Sequence, residues 1–212
     1  MYASRVAYLA PEIPALSATF VYEELLALER RGVAVQPGSV HKPESVVHDE
    51  FDLIRRTVVL YDRPKWQIAL LGLARLPSQL GSVRALQWLF NDMQSCKYLA
   101  DAWKLAFQFL AAVRLSDILR EQRCTHLHIH FAHVPTQIGM YAAAMADIPF
   151  TVMAHANDIF ERGLLLRQKA QRAQKFLTIS EHNRRYLLSL GLPPEKLAVV
   201  RCGVSFTAPI IW

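Results

Sequence analysis

Seven short runs rich in β-branched and aliphatic residues, separated by stretches of helical periodicity, constrain this chain more than any other feature of its sequence. They are Arg5 to Leu9, Val33 to Val40, Thr57 to Leu60, Thr125 to His130, Phe150 to Ala154, Lys175 to Ile179 and Leu197 to Arg201. Strands that alternate with helices return by crossovers rather than hairpins, and this builds a parallel sheet flanked by helices. The expected fold class is α/β: a Rossmann-like, doubly wound, mostly parallel sheet with helices on both faces.

The first unit is complete on paper. Ser17 can cap a helix running to about Arg31, with Phe20, Leu25 and Leu28 at helical spacing and Gly32 as its stop. Gln36 to Arg56 has little periodicity and reads as a surface connection. Pro64 to Arg123 reads as helix, punctuated by Pro77 and Gly81. In its last part Leu99, Trp103, Ala106, Leu110 and Val113 share one face, opposite Lys97, Asp101, Lys104 and Gln108, so that face is expected on the sheet. Trp66, Trp88 and Trp103, flanked by Lys65, Arg84 and Lys104, raise a second expectation, peripheral contact with a lipid surface.

Net charge of +6 and a pI near 9.4 favour anionic partners. The cations are scattered and carry no recognition-helix, zinc-finger or single-strand-binding pattern, so nucleic acid is not expected as a partner. The three cysteines, Cys96, Cys124 and Cys202, form neither a disulfide framework nor a zinc motif, which points to a reducing compartment. The apolar run before Pro11 and Glu12 is too short for a signal-peptide core. Ile68 to Ala74 and Leu105 to Val113 fall short of the roughly 18 to 20 residues of a membrane span. A cytoplasmic protein is expected, with attachment at the inner membrane face as its one membrane contact.

Among chemistry-bearing residues, His126, His128, His130 and His133 crowd one stretch. Strand alternation puts the first three on one side, with Leu127, Ile129 and Phe131 on the other. An H-x-H pair at a strand end can ligate zinc or iron, which makes a metal-dependent hydrolase built on His128 and His130 an alternative. Further ligands at suitable spacing are wanting apart from His155 and Asp158, and hydrogen bonding to a polar ligand is the simpler expectation, with no metal. No glycine lies between Tyr2 and Val21, which removes the dinucleotide fingerprint; the phosphate-binding G-x-x-x-x-G-K-[ST] loop and the G-x-S-x-G elbow are also absent.

In an open parallel sheet, ligands bind outside the carboxyl ends of the strands. That rule selects Glu12, Ser17 and Thr19 after the first strand, where a helix N-terminus favours a phosphate or carboxylate. It selects His130 and His133 after the fourth, His155, Asn157 and Asp158 after the fifth, Ser180 after the sixth and Arg201 at the seventh. His155 and Asp158, three apart at a strand-to-helix junction, suit hydrogen bonding to sugar hydroxyls and polarisation of a hydroxyl or phosphate. Asp158 and Ser180 also read as helix caps, and His155 as a satisfied junction histidine.

Five segments in order carry a resemblance: Leu9-Ala-Pro-Glu-Ile-Pro-Ala-Leu-Ser-Ala-Thr-Phe-Val-Tyr-Glu-Glu-Leu-Leu-Ala-Leu, His128-Ile-His-Phe-Ala, Phe150-Thr-Val-Met-Ala-His-Ala-Asn-Asp-Ile-Phe, Leu177-Thr-Ile-Ser-Glu-His-Asn and Val199-Val-Arg-Cys-Gly-Val. Together they resemble bacterial family-4 (group 1) glycosyltransferases of the exopolysaccharide and colanic-acid type. The resemblance implies one half of a GT-B fold, with residues 1–204 as the acceptor-side domain. It implies retaining, metal-independent transfer from a nucleotide-sugar co-substrate, with no tightly bound cofactor, to a glycan or lipid-linked acceptor. By it His155 matches the cleft histidine beside the transferred sugar, Asp158 the acidic residue after it, and Glu12 to Thr19 the loop facing donor phosphates and acceptor. The donor-side E-x7-E motif is absent, and 205–212 matches neither linker nor domain. The chain thus reads as truncated, inactive alone, and dependent on a donor-binding domain or subunit in trans. A non-catalytic glycan- or anion-binding module is the remaining alternative.

Overall fold

The computed structural model describes residues 5–43, 51–79, 82–201 and 203; Cys202 and the 205–212 tail lie outside the described residues. All seven expected strands form: β1 Arg5–Ala10, β2 Ala34–Ser39, β3 Val58–Val59, β4 Cys124–His130, β5 Phe150–Ala154, β6 Lys175–Thr178 and β7 Leu197–Val199. They make one parallel sheet in the order β3-β2-β1-β4-β5-β6-β7. The chain leaves β1 towards β2 and β3, then returns to the other side of β1 as β4. That reversal, between β1 and β4, is where an open α/β sheet forms its crevice.

Nine described helices connect the strands: α1 Thr19–Arg30, α2 Phe51–Arg56, α3 Lys65–Arg75, α4 Val83–Gln94, α5 Leu99–Glu121, α6 Val134–Ala146, α7 Ala156–Phe160, α8 Leu166–Arg172 and α9 Glu181–Ser189. Right-handed crossovers running in opposite directions from β1 put their helices on opposite faces. The two-residue period of β1 expresses this directly. Tyr8 and Ala10 pack with Val21, Tyr22 and Leu25 of α1 and Leu53 of α2. Ala7 and Leu9 face the larger core, with Leu127 and Ile129 of β4 and the buried residues of α5 and α6.

Three local expectations are corrected. The α1 helix starts at Thr19 with Ala18 in the cap position and no side-chain cap, because Leu16–Ala18 forms a 3-10 turn that carries Ser17 exposed on the surface. Gly32, at φ +82, does end the helix, a conformation that suits a residue without Cβ. The Gln36–Arg56 stretch is no plain surface connection: it holds most of β2 and all of α2, and Arg56 makes a two-point ion pair with Glu29 at 2.5 and 2.6 Å. Residues 44–50 of that stretch lie outside the described residues.

The third correction concerns α5. Its buried residues include Ala102, Leu105, Phe109, Ala112, Ser116 and Leu119, and the expected outward residue Gln108 is buried with them. The helix is apolar on most of its circumference, so periodicity alone did not fix its phase. Of the expected stripe, Val113 is fully buried in the core and Leu110 lies against Gly72 of α3, whereas Leu99 and Trp103 are exposed. Trp88, unlike the exposed Trp66 and Trp103, is half-buried: the Arg172 guanidinium lies 4.6 Å from its ring centre and holds Asp92 at 2.6 and 2.7 Å. Among the described residues no helix is long and apolar enough to cross a membrane, and Cys96 and Cys124 are free thiols.

Candidate active site

The β1–α1 loop is anchored rather than loose: Ile13 N donates to Ser39 Oγ at 2.6 Å, and His41 N donates to the Pro11 carbonyl at 2.8 Å. At its end α1 brings Phe20 over the carboxyl edge of β4 and β5. The Phe20 ring lies 5.0 Å from His155 and 6.1 Å from His130, and Phe131 lies 4.6 Å from His155. Phe131 takes a left-handed conformation, φ 72, which turns the chain sharply out of β4 towards α6. His133 then caps α6, its Nδ1 accepting from Val134 N at 2.8 Å.

His155 follows β5 and is 9% exposed, and its Nε2 is buried without a hydrogen bond. Burial lowers its pKa to about 4, so the ring is neutral at neutral pH. His133 is also held to about 4, first by burial and then by the charges of Arg162 and Lys169 and by His41 and His155. His41, His133, His155 and Arg162 therefore share one electrostatic neighbourhood at the sheet's carboxyl edge.

Asp158 has a different duty. It is fully buried, and its Oδ2 accepts from His155 N at 3.1 Å and from Ala132 N. One carboxylate oxygen thus ties the turn after β4 to the turn after β5. Lys169, equally buried, donates to the carbonyls of Ala132 and Leu164 at 2.6 Å each. Burial drives the Lys169 pKa down to about 7, against the opposing pull of Asp158 and Asp92.

The three strand histidines do share one side of β4. Thr151 Oγ1 bonds His126 Nε2 at 3.0 Å and His128 Nδ1 at 2.7 Å. His130 Nε2 stands 3.5 Å, and His128 Nε2 3.8 Å, from the carboxylate of Glu24. Tyr8 OH donates to the same carboxylate at 2.7 Å. Burial holds His128 at about 4, pushes His130 well below its usual value, and raises the Glu24 carboxyl. The ligand atoms of Glu24, His128 and His130 lie within 4.8 Å of one another, so this group could hold a divalent cation.

The selected residues divide accordingly. His130, His133, His155 and Asp158 come together with Phe20 and Phe131. Asn157 is exposed and donates to Glu161 at 2.6 Å; Ser180 caps α9, accepting from Asn183 N at 3.2 Å. Glu12 is half-buried, whereas Ser17, Thr19 and Arg201 are exposed, and no hydrogen bond or ion pair joins these four to the histidine group among the described residues. Sequence reasoning missed Phe20, Glu24, His41 and Arg162. Phe20 and Glu24 lie one turn apart on α1 and were legible as a helical pair; nothing local marked the other two.

Comparison with known proteins adds the following. The family model described as Glycosyltransferase Family 4 matches residues 95–207. The chain is 25% identical over 219 aligned positions to WcaL of Salmonella typhimurium (strain LT2), named for colanic acid biosynthesis as a glycosyltransferase, covering 96% of this chain and 51% of that protein. Among solved structures, a UDP-N-acetylglucosamine 2-epimerase superposes with a TM-score of 0.55 at 12% identity, over 96% of this chain and 53% of its own. The Neisseria meningitidis UDP-GlcNAc 2-epimerase bound to UDP-GlcNAc gives 0.53 at 13% identity, over 92% and 46%. At such identities the likeness is one of fold. The chain spans about half the length of these relatives.

Proposed function

The chain belongs to Glycosyltransferase Family 4, and from that membership we propose that it is the acceptor-side half of an enzyme moving a sugar, with retention and without a bound metal, from a nucleotide-sugar to a glycan or lipid-linked acceptor. The observation that carries the reading is His155: a neutral imidazole at the carboxyl edge of the sheet, its Nε2 buried without a hydrogen bond. Leaving such a nitrogen unsatisfied costs about 1–3 kcal/mol, and a ligand hydroxyl would remove that cost. A neutral ring can donate to or accept from a sugar hydroxyl and so orient the anomeric carbon towards the acceptor. Phe20 and Phe131 fix the ring. Asp158 acts as a positioning residue by locking the two turns, while His133 and Arg162 supply polar and cationic groups for a leaving diphosphate. Glu12, Ser17, Thr19, His130, Asn157, Ser180 and Arg201 would contact substrate from the rim, and nucleotide and ribose would be held chiefly by a separate donor-binding domain or subunit. The chain alone would then be inactive.

The test is His155→Ala in an enzyme made complete with a donor-binding half. Turnover should fall by roughly 10²-fold or more, the scale of one positioned catalytic group, with little change in melting temperature. Full turnover, or an unfolded variant, overturns the assignment.

The Glu24, His128 and His130 group favours one other reading, the metal-dependent hydrolase. It would need stoichiometric zinc or iron in the purified protein, which metal analysis reads directly. The family membership weighs against it, although Thr151 satisfies only His128 Nδ1, and His128 Nε2 and both nitrogens of His130 are buried without a hydrogen bond.

A further inference from the structure

Where α1 lies on the sheet, a polar group is set into an otherwise apolar core. Glu24 of α1 meets His128 and His130 of β4 beside the cluster of Tyr8, Ala10, Val21, Tyr22 and Leu25. The two histidines are 8% and 1% exposed. Thr151 Oγ1 bonds His128 Nδ1 at 2.7 Å, but His128 Nε2 and both ring nitrogens of His130 are buried without a hydrogen bond among the described residues. Nearly every buried polar atom of a folded protein has a partner, so three unsatisfied nitrogens on one side of one strand call for a ligand.

Glu24 Oε2 stands 3.5 Å from His130 Nε2, and Oε1 stands 3.8 Å from His128 Nε2, both longer than a good hydrogen bond. Around a zinc ion, with bonds of about 2.0 to 2.2 Å to nitrogen and oxygen, neighbouring ligand atoms lie about 3.4 Å apart. Both separations come within about 0.4 Å of that spacing, and the ligand atoms of all three residues lie within 4.8 Å of one another. The carboxylate turns one oxygen to each imidazole, so two nitrogens and two oxygens converge. One negative charge with two uncharged imidazoles complements a divalent cation, and imidazole nitrogen suits zinc and its first-row neighbours rather than magnesium or calcium.

Further contacts hold these donors in place. Tyr8 OH donates to Glu24 Oε1 at 2.7 Å, and Thr151 Oγ1 is shared between His128 Nδ1 and His126 Nε2. Metal-ligating histidines are typically fixed in this way through their second nitrogen. Glu24, with its side chain 41% exposed, leaves an ion a way in.

We propose that Glu24, His128 and His130 bind a zinc ion with a structural role, fastening α1 to β4. The ion takes the Nε2 atoms of both histidines, with Nδ1–H of His128 donating to Thr151. Phe20 lies one turn before Glu24 on the same helix, and its ring is 5.0 Å from His155, so the ion fixes the helix that seats Phe20 on that imidazole. A hydrolytic zinc needs an open position reached by substrate; here the imidazoles are buried and Glu24 fills the coordination with both oxygens. His155 contributes no ligand, so sugar transfer itself calls on no metal, and the proposal does not rest on the transferase reading.

The test is titration of the chelator-treated chain with zinc, followed by calorimetry and by melting temperature. One ion per chain is expected, with a raised melting temperature, whereas magnesium and calcium have no effect. Glu24→Gln, which keeps the shape of a part-exposed side chain, should weaken zinc about tenfold or more. Thr151→Val, which leaves all three ligands present, should weaken it about 10- to 100-fold. His182→Ala, exposed on α9, leaves affinity unchanged. Circular dichroism reports whether each variant folds. Cobalt(II) gives an independent reading, since visible absorption of tetrahedral intensity should appear with the chain and be lost in Glu24→Gln. Failure to bind zinc, or equal binding by Glu24→Gln, overturns the proposal, the ion in the second case being adventitious on surface histidines. Zinc-dependent hydrolysis of a phosphate ester overturns the structural role in favour of the hydrolase. No sugar enters the assay, so its failure leaves the transferase reading untouched, and inactivity of a completed enzyme leaves the zinc site untouched.

Discussion

A single oxygen, Asp158 Oδ2, holds the turns after β4 and β5 together, and the chemistry of His155 depends on that clamp. Removing it breaks two charge-assisted bonds to buried backbone N–H groups and leaves those donors without partners. Asp158→Ala should therefore destabilise the protein by about 3 kcal/mol or more, read from urea unfolding. A change below about 1 kcal/mol would mean that the turns are held by something else. The contrast with His155→Ala separates the two neighbours: one substitution is felt in stability, the other in turnover. Sequence alone could not separate them, because both occupy a strand-to-helix junction. Burial and partners decided that the carboxylate is occupied by backbone while the imidazole Nε2 is not.

At the scale of elements, the packing of α3 on α5 depends on Gly72. A Cβ added there would lie 2.6 Å from the Leu110 carbonyl oxygen and 2.8 Å from its Cβ, contacts that force the helices apart. Helix propensity alone would make Gly72→Ala stabilising by about 1 kcal/mol. Overpacking costs typically about 1–3 kcal/mol, and here the obstacle is backbone, which cannot step aside. The expected net result is a lower melting temperature, and a raised one would show that the helix pair is free to slide. The strands were legible because short β-branched runs have few alternatives. The phase of α5 was not, since a helix apolar on nearly every side offers periodicity no preferred direction and leaves the choice to its neighbours.

For the molecule as a whole, the buried histidines set its response to acid. His128, His133 and His155 are each held to about 4 in the folded state, against about 6.5 when unfolded. His130 is held lower still. Over this window the unfolded chain binds more protons, so stability falls as pH drops from 6.5 towards 4, with a slope approaching about four protons from these four rings. Above 6.5 both states are neutral at these rings and they add no slope. The urea midpoint measured across a pH series should trace this fall, and a flat profile from 6.5 to 4 would mean that the rings are more accessible than their burial indicates. Substituting His155 alone should remove about one proton from the slope.

The alternation of strand and helix, the one-sided placement of His126, His128 and His130, and the selection of His155 at a strand's carboxyl end were all fixed by the sequence, because each follows from a local period or from connectivity. Tertiary structure decided the rest. It set His41 and Arg162 within electrostatic reach of His133 across long separations in sequence, and it turned Asp158 inward as a clamp. It also left Trp66 and Trp103 uncovered. These outcomes depend on relative lengths and on which partner reaches a surface first, quantities that no local pattern of residues contains.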